Sequence, residues 1–496
     1  MAFSELLQLA GNCGRYQITL VFSSLSLIIL VATHNLVQNF SAAIPAHRCY
    51  VHLLDNITSQ SKHPENLTAK ALLRMSIPRD NHQQEQCRRF RQTQWQLLNS
   101  SDLAINTTEL ETEPCLDGWT YDQSLFTSTI VTQWDLVCES QSLKLLSQSI
   151  YMAGYMLGSS MGGYITDKFG RKPALLVSPL LVAILGTGSI YVPTFSIYCI
   201  IRFLMAMALG NIYNNTLVIL IEWLPTNAIP MVITAMSLVL STGQVLLAGL
   251  AYVFRDWRML QLSISVPYFA FFLFQWWSLE SARWLIVSGK LEKALEVLKK
   301  VAHINGKKDV EENLHIEIFC NFFPLRSDDR FTKLREQCVL VSGSPWSRGF
   351  SIKMSLSAGD EVPATATFHI PVVRLGLAAL GKGCMAMYFN MSMTYNHELI
   401  PTGIRSKAEG VILFITGLGA SLGSLVSITR QYFEPLPMIL CGTFPVVASI
   451  CVYFLPETLN LPLPDTIQDI ERRYKNCKNT STKEEEISGL QDSTEC

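Results

Sequence analysis

Glu222-Trp-Leu-Pro-Thr226 closes one apolar run, and Glu398-Leu-Ile-Pro-Thr402 closes another, 176 residues later. A second echo trails each copy: Leu279-Glu280-Ser281 lies 58 residues beyond Glu222, and Pro456-Glu457-Thr458 lies 59 beyond Glu398. A repeat of that length in a chain built of apolar runs implies two related membrane bundles, the architecture of a secondary transporter. The repeat is also a ruler. Four apolar runs precede the first copy, and the segment before the second copy is too short to hold four more.

The runs are about 20 residues long, the length that crosses a hydrocarbon core of roughly 30 Å. They fall at 16–38, 143–165, 174–195, 197–221, 230–253 and 259–279, and then, after a gap, at 371–394, 409–429 and 435–455. The first run is too long for the apolar part of a secretory leader and has no small-residue cleavage site, so it reads as a span that is retained. A formal net charge of −1 supplies no field that would draw nucleic acid. No nucleophile constellation, metal-ligand spacing or phosphate-binding loop is present, so the chain reads as neither enzyme nor cofactor protein.

Residues 40–140 are polar. In and just before them lie five N-x-S/T sequons, at Asn39, Asn56, Asn66, Asn99 and Asn106, and four of the 13 cysteines, Cys49, Cys87, Cys115 and Cys138. Glycan acceptors and an even set of cysteines both belong to the oxidising side of the membrane, which makes this an outer loop tied by two disulfides. Three pairings satisfy four cysteines, and spacing does not choose among them. With that loop outside, Lys168, Arg171 and Lys172 fall inside, as do Lys290, Lys293, Lys299, Lys300, Lys307 and Lys308, in keeping with the positive-inside rule. Arg255 and Arg258 fall outside and dissent. Residues 289–303 read as a short amphipathic helix on the cytosolic side.

Between the second and third spans the chain reads Gly163-Tyr-Ile-Thr-Asp167-Lys168-Phe-Gly170-Arg171-Lys172. This matches the G-x-x-x-D-[RK]-x-G-R-[RK] loop of the major facilitator superfamily at every defined position. Gly163 suits close helix approach, Gly170 a tight turn, and Asp167 a cation or a helix N-terminus. Further matches resemble the organic-ion transporter family, and within it the organic-anion branch. They include Cys115-Leu-Asp117-Gly118-Trp119, Trp134-Asp135-Leu136-Val137-Cys138, Arg202-Phe203-Leu204, Glu280-Ser281-Ala282-Arg283-Trp284-Leu285, Leu380-Gly381-Lys382-Gly383-Cys384 and Leu463-Pro464-Asp465-Thr466. The resemblance implies an all-α membrane protein with a twelve-span, two-bundle fold and one central cavity. It further implies a plasma-membrane carrier of amphipathic organic anions such as steroid conjugates or aromatic carboxylates, moved by exchange or facilitated diffusion, with no cofactor.

The chain departs from that pattern in its second half. Residues 323–370 carry eleven charges, and no charge-free stretch exceeds 12 residues. A charge at the middle of a span costs about 2.5–3.5 kcal/mol on insertion scales, so no span is placed there. The expected organisation is a six-span N-terminal bundle (1–280), a cytosolic loop (281–322), an atypical polar segment in place of three helices (323–370), a three-span remnant (371–458) and a cytosolic tail (459–496), about nine spans in all. Losing an odd number of spans reverses the side of everything downstream, or else forces 315–370 to cross despite its charges. The alternative expectation is therefore a transport-incompetent isoform, retained in the endoplasmic reticulum or acting as an interaction partner. The terminal Thr494-Glu495-Cys496 loosely resembles a PDZ ligand.

Polar residues inside spans are the candidates for substrate binding. They are Asn35, Arg202, Asn211, Asn214, Gln244 and Lys382, with His34 and Asn215 beside them. Each has a plainer reading. Arg202 lies near a span end and is equally placed to snorkel, whereas the asparagines on span four suit interhelical hydrogen bonds. Phe271, Phe272, Phe274, Trp276 and Trp277 suit an interfacial belt, and Gly154, Gly158 and Gly162 a packing stripe. Alignment from Glu398 puts Gly417 where the organic-anion members carry an arginine, so the anion site lacks that cation.

Treatment with an N-glycosidase is expected to shift the protein on a gel by several glycans. A band that does not move, from protein that has reached the Golgi, would rule out a glycosylated outer loop.

Overall fold

The computed structural model describes residues 14–55, 69–80, 83–98, 111–225, 228–307 and 405–426, with isolated positions besides. Its long helices are α1 (Arg15–Leu36), α2 (Gln141–Phe169), α3 (Arg171–Gly188), α4 (Phe195–Trp223), α5 (Ile229–Val253), α6 (Trp257–Ser265) and α7 (Pro267–Trp276). Two shorter ones follow, α8 (Ala282–Val287) and α9 (Leu291–Ile304), and then α10 (Arg405–Val426). Residues 323–370 lie outside the described residues, as do Asn56, Asn66, Asn99, Asn106, Lys382 and the C-terminal tail.

The repeated Leu-Pro step explains where α4 stops. Leu224 precedes Pro225, whose ring disfavours helical backbone in the residue before it, and Leu224 is extended at φ −111°, ψ 149°. Pro230 sits in the first turn of α5, where a missing N–H costs nothing. The span expected over 259–279 is met by Trp257–Trp276, in which α6 and α7 join at Val266, where Pro267 has no N–H to continue the ladder.

Among the described residues, five stretches are long and apolar enough to cross a membrane: Arg15–Ser41, Arg171–Tyr191, Phe195–Trp223, Met231–Val253 and Trp257–Trp276. The second expected span, 143–165, lies within α2, a 29-residue helix that is not among the five. Its serines and glycines are used in packing. A Cβ on Gly154 would meet the Phe203 carbonyl, one on Gly158 the backbone of Met207, and one on Gly210 the Tyr155 carbonyl. Backbone therefore lies against backbone along the α2–α4 seam, as small-x-x-x-small spacing allows. On another side α2 carries α10, with Gly417 set against Met156.

Between α1 and α2 the described residues form a cap that holds three two-stranded antiparallel ribbons. Strand β1 (His47–Cys49) pairs with β6 (Trp119–Tyr121), β2 (Arg79–Asp80) with β3 (Gln83–Gln84), and β4 (Arg88–Phe90) with β5 (Thr112–Pro114). Disulfides join Cys49 to Cys115 and Cys87 to Cys138. Asn39 sits on a helical turn, Gln38–Ser41, and is exposed. The cap is stitched to the α5–α6 corner by Thr127 N–H donating to the Arg255 carbonyl at 3.1 Å and Trp257 N–H to the Ser128 carbonyl at 3.2 Å. Arg255 also donates to the Ser124 carbonyl at 3.3 Å, which gives this outer cation a local role.

At the opposite end, the loop from Gly163 to Lys172 is a knot of charge. Gly170 turns the chain at φ 106°, a backbone region that disfavours side chains. Arg171 is 5% exposed. Its guanidinium donates to Glu222 at 2.9 Å, to Asp167 at 3.0 Å and to the Thr166 carbonyl at 3.0 Å. Glu280 accepts from the backbone N–H of Arg171 at 2.9 Å and of Lys172 at 3.2 Å, capping the N-terminus of α3 from across the bundle. Trp284 donates its indole N–H to the Asp167 carbonyl at 2.9 Å. Both glutamates that mark the sequence repeat in the first half, Glu222 and Glu280, thus grip this loop. Gly163 is placed as expected for close approach, since a Cβ there would lie 3.3 Å from the Asn214 amide nitrogen.

Arg171→Gln leaves the buried Glu222 carboxylate without its cation, and removing one partner of a buried pair costs about 3–5 kcal/mol. The half-exposed Asp167 adds less, being screened. Thermal unfolding of the detergent-solubilised protein is expected to fall well below wild type for this variant and less for Arg171→Lys; equal midpoints for all three would refute the role. Peptide mapping without reduction is expected to find Cys49 linked to Cys115 and Cys87 linked to Cys138, and any other pairing would show the cap to be connected otherwise.

Candidate functional site

Helices α1, α2 and α4 turn their polar residues toward one another. Arg202, two turns into α4, is 1% exposed. It therefore does not snorkel. The guanidinium lies over the Tyr151 ring of α2, 4.2 Å from its centroid, and donates to the Gln38 side-chain oxygen at 3.3 Å. The other two guanidinium nitrogens, Nε and Nη1, are buried with no hydrogen-bond partner, and no carboxylate pairs with Arg202 among the described residues. The Tyr151 hydroxyl donates to Asn35 of α1 at 2.7 Å. His34, fully buried, packs edge-on against Tyr268 of α7 at 5.5 Å between ring centres. Asn35 and Arg202, distant in sequence, are thus joined through one tyrosine.

A buried guanidinium without a counter-charge is costly, since its attraction to a ring and a neutral amide recovers only part of the hydration it loses. What it lacks is an acceptor that carries negative charge, and its planar fork suits a carboxylate or a sulfate. The surrounding wall is apolar and aromatic: Leu27, Val31, Met205, Leu209 and Tyr268 are buried in one cluster with Tyr151. Apolar walls with one or two fixed polar groups are the usual makeup of a small-molecule site.

The other candidates are placed elsewhere. Asn211 donates to the Ser178 hydroxyl of α3 at 2.7 Å, and Asn214 to the Ser159 carbonyl of α2 at 3.0 Å. Asn215 donates to the Asn211 carbonyl at 2.9 Å. Asn211 and Asn214 stand in the seams between helices, where their hydrogen bonds join α4 to its neighbours, whereas the Asn215 bond stays within α4. Gln244 is half-buried on α5. Gly417 of α10 is buried, and a Cβ there would stand 2.6 Å from the Met156 Cβ. Gly417 is thus a point of contact between α10 and α2.

Tyr151 and Gln38 were not marked by the sequence. Tyr151 and Tyr155, one helical turn apart on a span otherwise rich in serine and glycine, were the signal available. In the cap, His47 lies near the sulfurs of Cys87 and Cys138, but those sulfurs are joined to each other and offer no thiolate to a metal.

A family model described as sugar (and other) transporter matches residues 84–318. Human solute carrier family 22 member 11 is 41% identical over 532 aligned positions, which cover 95% of this chain and 96% of that protein. A steroid transmembrane transporter of the horse, Equus caballus, is 38% identical over 548 positions, covering 98% and 99%. Both alignments are longer than this chain of 496 residues, so each relative has residues that this chain lacks. Among solved structures, the partially occluded inward-open xylose transporter XylE from E. coli overlays 90% of this chain and 100% of its own at a TM-score of 0.55 and 13% identity, a likeness of fold alone. On these similarities and on the helices described, the chain belongs to solute carrier family 22, a family of multi-pass membrane transporters for organic ions and not of enzymes, with the fold of the major facilitator superfamily.

Proposed function

We propose that the chain is a plasma-membrane carrier for amphipathic organic anions, steroid conjugates or aromatic carboxylates, with Arg202 as the cation that meets the substrate's charge. The observation that carries this reading is the burial of Arg202 at 1% exposure with two guanidinium nitrogens unpartnered. A site for organic cations would place a carboxylate there. Tyr151 orients the guanidinium by its ring and Asn35 by the hydroxyl it accepts, while the apolar cluster below receives a steroid or aryl body. The relative named as a steroid transporter supports that substrate class. Movement by exchange or facilitated diffusion is part of this proposal and rests on the resemblance to the organic-anion branch.

A second reading rests on a specific feature, the eleven charges between 323 and 370 where the family has apolar helices. In it the chain keeps its N-terminal bundle, stays in the endoplasmic reticulum and carries nothing. Gly417→Arg is not a rescue under this reading, because the 2.6 Å approach to Met156 leaves no room for a side chain.

Uptake of a radiolabelled steroid sulfate, normalised to surface-biotinylated protein, tests the proposal. Arg202→Gln is expected to lower uptake at least tenfold at equal surface amount, in line with about 2–5 kcal/mol for removing one side of a buried charge pair. Arg202→Lys is expected to fall between, since it keeps the charge without the fork. Uptake insensitive to both would remove Arg202 from the site, and wild-type protein that gives no uptake and is not biotinylated at the surface would favour the second reading.

A further inference from the structure

A cavity of about 630 Å³ opens at the end of the bundle remote from the cap, between α1, α7 and α9. Its wall is apolar: Leu20 from α1, Phe274 from α7, Trp277 and Leu279 just beyond, and Ile304 from α9. One edge, on a single face of α9, carries Lys299, Lys300 and His303 beside the carboxylate of Glu296. Lys300 is engaged by Glu296 at 2.6 Å, whereas Lys299 is half-buried and has no carboxylate partner among the described residues. Tyr16 also lines the cavity, and its hydroxyl is buried without a hydrogen-bond partner.

The cavity is built on a firm base. Asn305, just past α9, accepts the Tyr16 N–H at 3.0 Å and donates to the Gln17 side-chain oxygen at 3.1 Å, so α9 is held against the start of α1. Its apolar wall continues onto the outside of α7, where Leu273 is 58% exposed, Trp276 62% and Trp277 77%. Tryptophans of this kind mark the level where acyl chains give way to headgroups. The lysines then stand one layer further out, at the depth of a phosphate.

We propose that this cavity is a binding site for an anionic glycerophospholipid of the adjoining leaflet. Its phosphate and acidic headgroup lie against Lys299, Lys300 and His303, and the first part of an acyl chain lies against Leu20, Phe274 and Trp277. A soluble anion satisfies the lysines and leaves the apolar wall wet, and a zwitterionic lipid satisfies the wall and brings no net charge to the lysines. An anionic lipid satisfies both. The headgroup occupies the cavity, and the remaining chain length runs down the exposed face of α7. The site lies apart from Arg202, and lipid binding is read without transport, so its failure leaves the carrier proposal untouched.

The test uses the full chain in vesicles of phosphatidylcholine doped with phosphatidylserine that carries a photoactivatable acyl chain. After irradiation, adducts are mapped by peptide mass spectrometry. The expected result is labelling concentrated on the peptide spanning 274–279, reduced about tenfold in K299Q/K300Q at limiting probe, as two interfacial cations of which one is partly neutralised would give. Lys293→Gln, on the exposed side of α9, is expected to label like wild type, and so controls for a general loss of surface charge. Photoactivatable phosphatidylcholine at the same density is expected to label 274–279 no more than the other lipid-facing helices. Excess glycerophosphoserine, the headgroup without chains, is expected not to compete. Equal labelling by the two lipids, labelling spread evenly over the bundle, an unchanged yield in K299Q/K300Q, or full competition by the free headgroup would each overturn the assignment. Absence of label at 274–279 would do so too, and would leave the cavity to another segment of this chain.

Discussion

The Arg171 guanidinium, held between Asp167 and Glu222 while Glu280 caps the next helix, fixes the ends of α2, α3 and α4 relative to one another. Everything deeper in the bundle depends on that constraint. Three helices that meet only through apolar surface could slide along each other in lipid, because lipid offers no hydrophobic penalty against it. A buried ion pair and a capped helix N-terminus set their register instead, and that register brings Gly154 and Gly158 opposite Phe203 and Met207. Once backbone packs on backbone there, Tyr151 falls beside Arg202 and Asn35.

Register thus turns a motif at one end of the bundle into a polar cluster near the other. The cluster is stabilised only in part. Tyr151 satisfies Asn35 and shields one face of Arg202, yet two guanidinium nitrogens remain without acceptors. An apolar residue at that position would carry no such desolvation cost. Retaining arginine at that cost is what one expects of a group that waits for a ligand.

Much of this was legible in the chain. The Leu224-Pro225 step located the end of α4, and the Gly163–Lys172 loop named its superfamily. The sequence did not show that the repeat glutamates serve that loop, because Glu280 and Arg171 are 109 residues apart and nothing local ties them together. Nor did it separate the asparagines. Asn35 and Asn214 look alike as polar residues in apolar spans, and only the rotation of each helix decides that one meets Tyr151 and the other the Ser159 carbonyl. Arg202 was evenly poised between snorkelling and burial for the same reason. The sixth span was legible as an apolar run, but the gap that Pro267 leaves in its hydrogen-bond ladder interrupts the helix without ending the span.

The stitching of the cap to the α5–α6 corner has a mechanical meaning. Thr127 and Ser128 are bonded to Arg255 and Trp257 through main chain, and Trp134, Tyr198 and Trp257 pack their rings together beneath. The cap is therefore freight carried by one half of the molecule. If the N-terminal bundle rocks during a cycle, the cap swings with it as one body. Any mass attached to it, whether a glycan at Asn39 or a bound antibody, would load that swing on one side only.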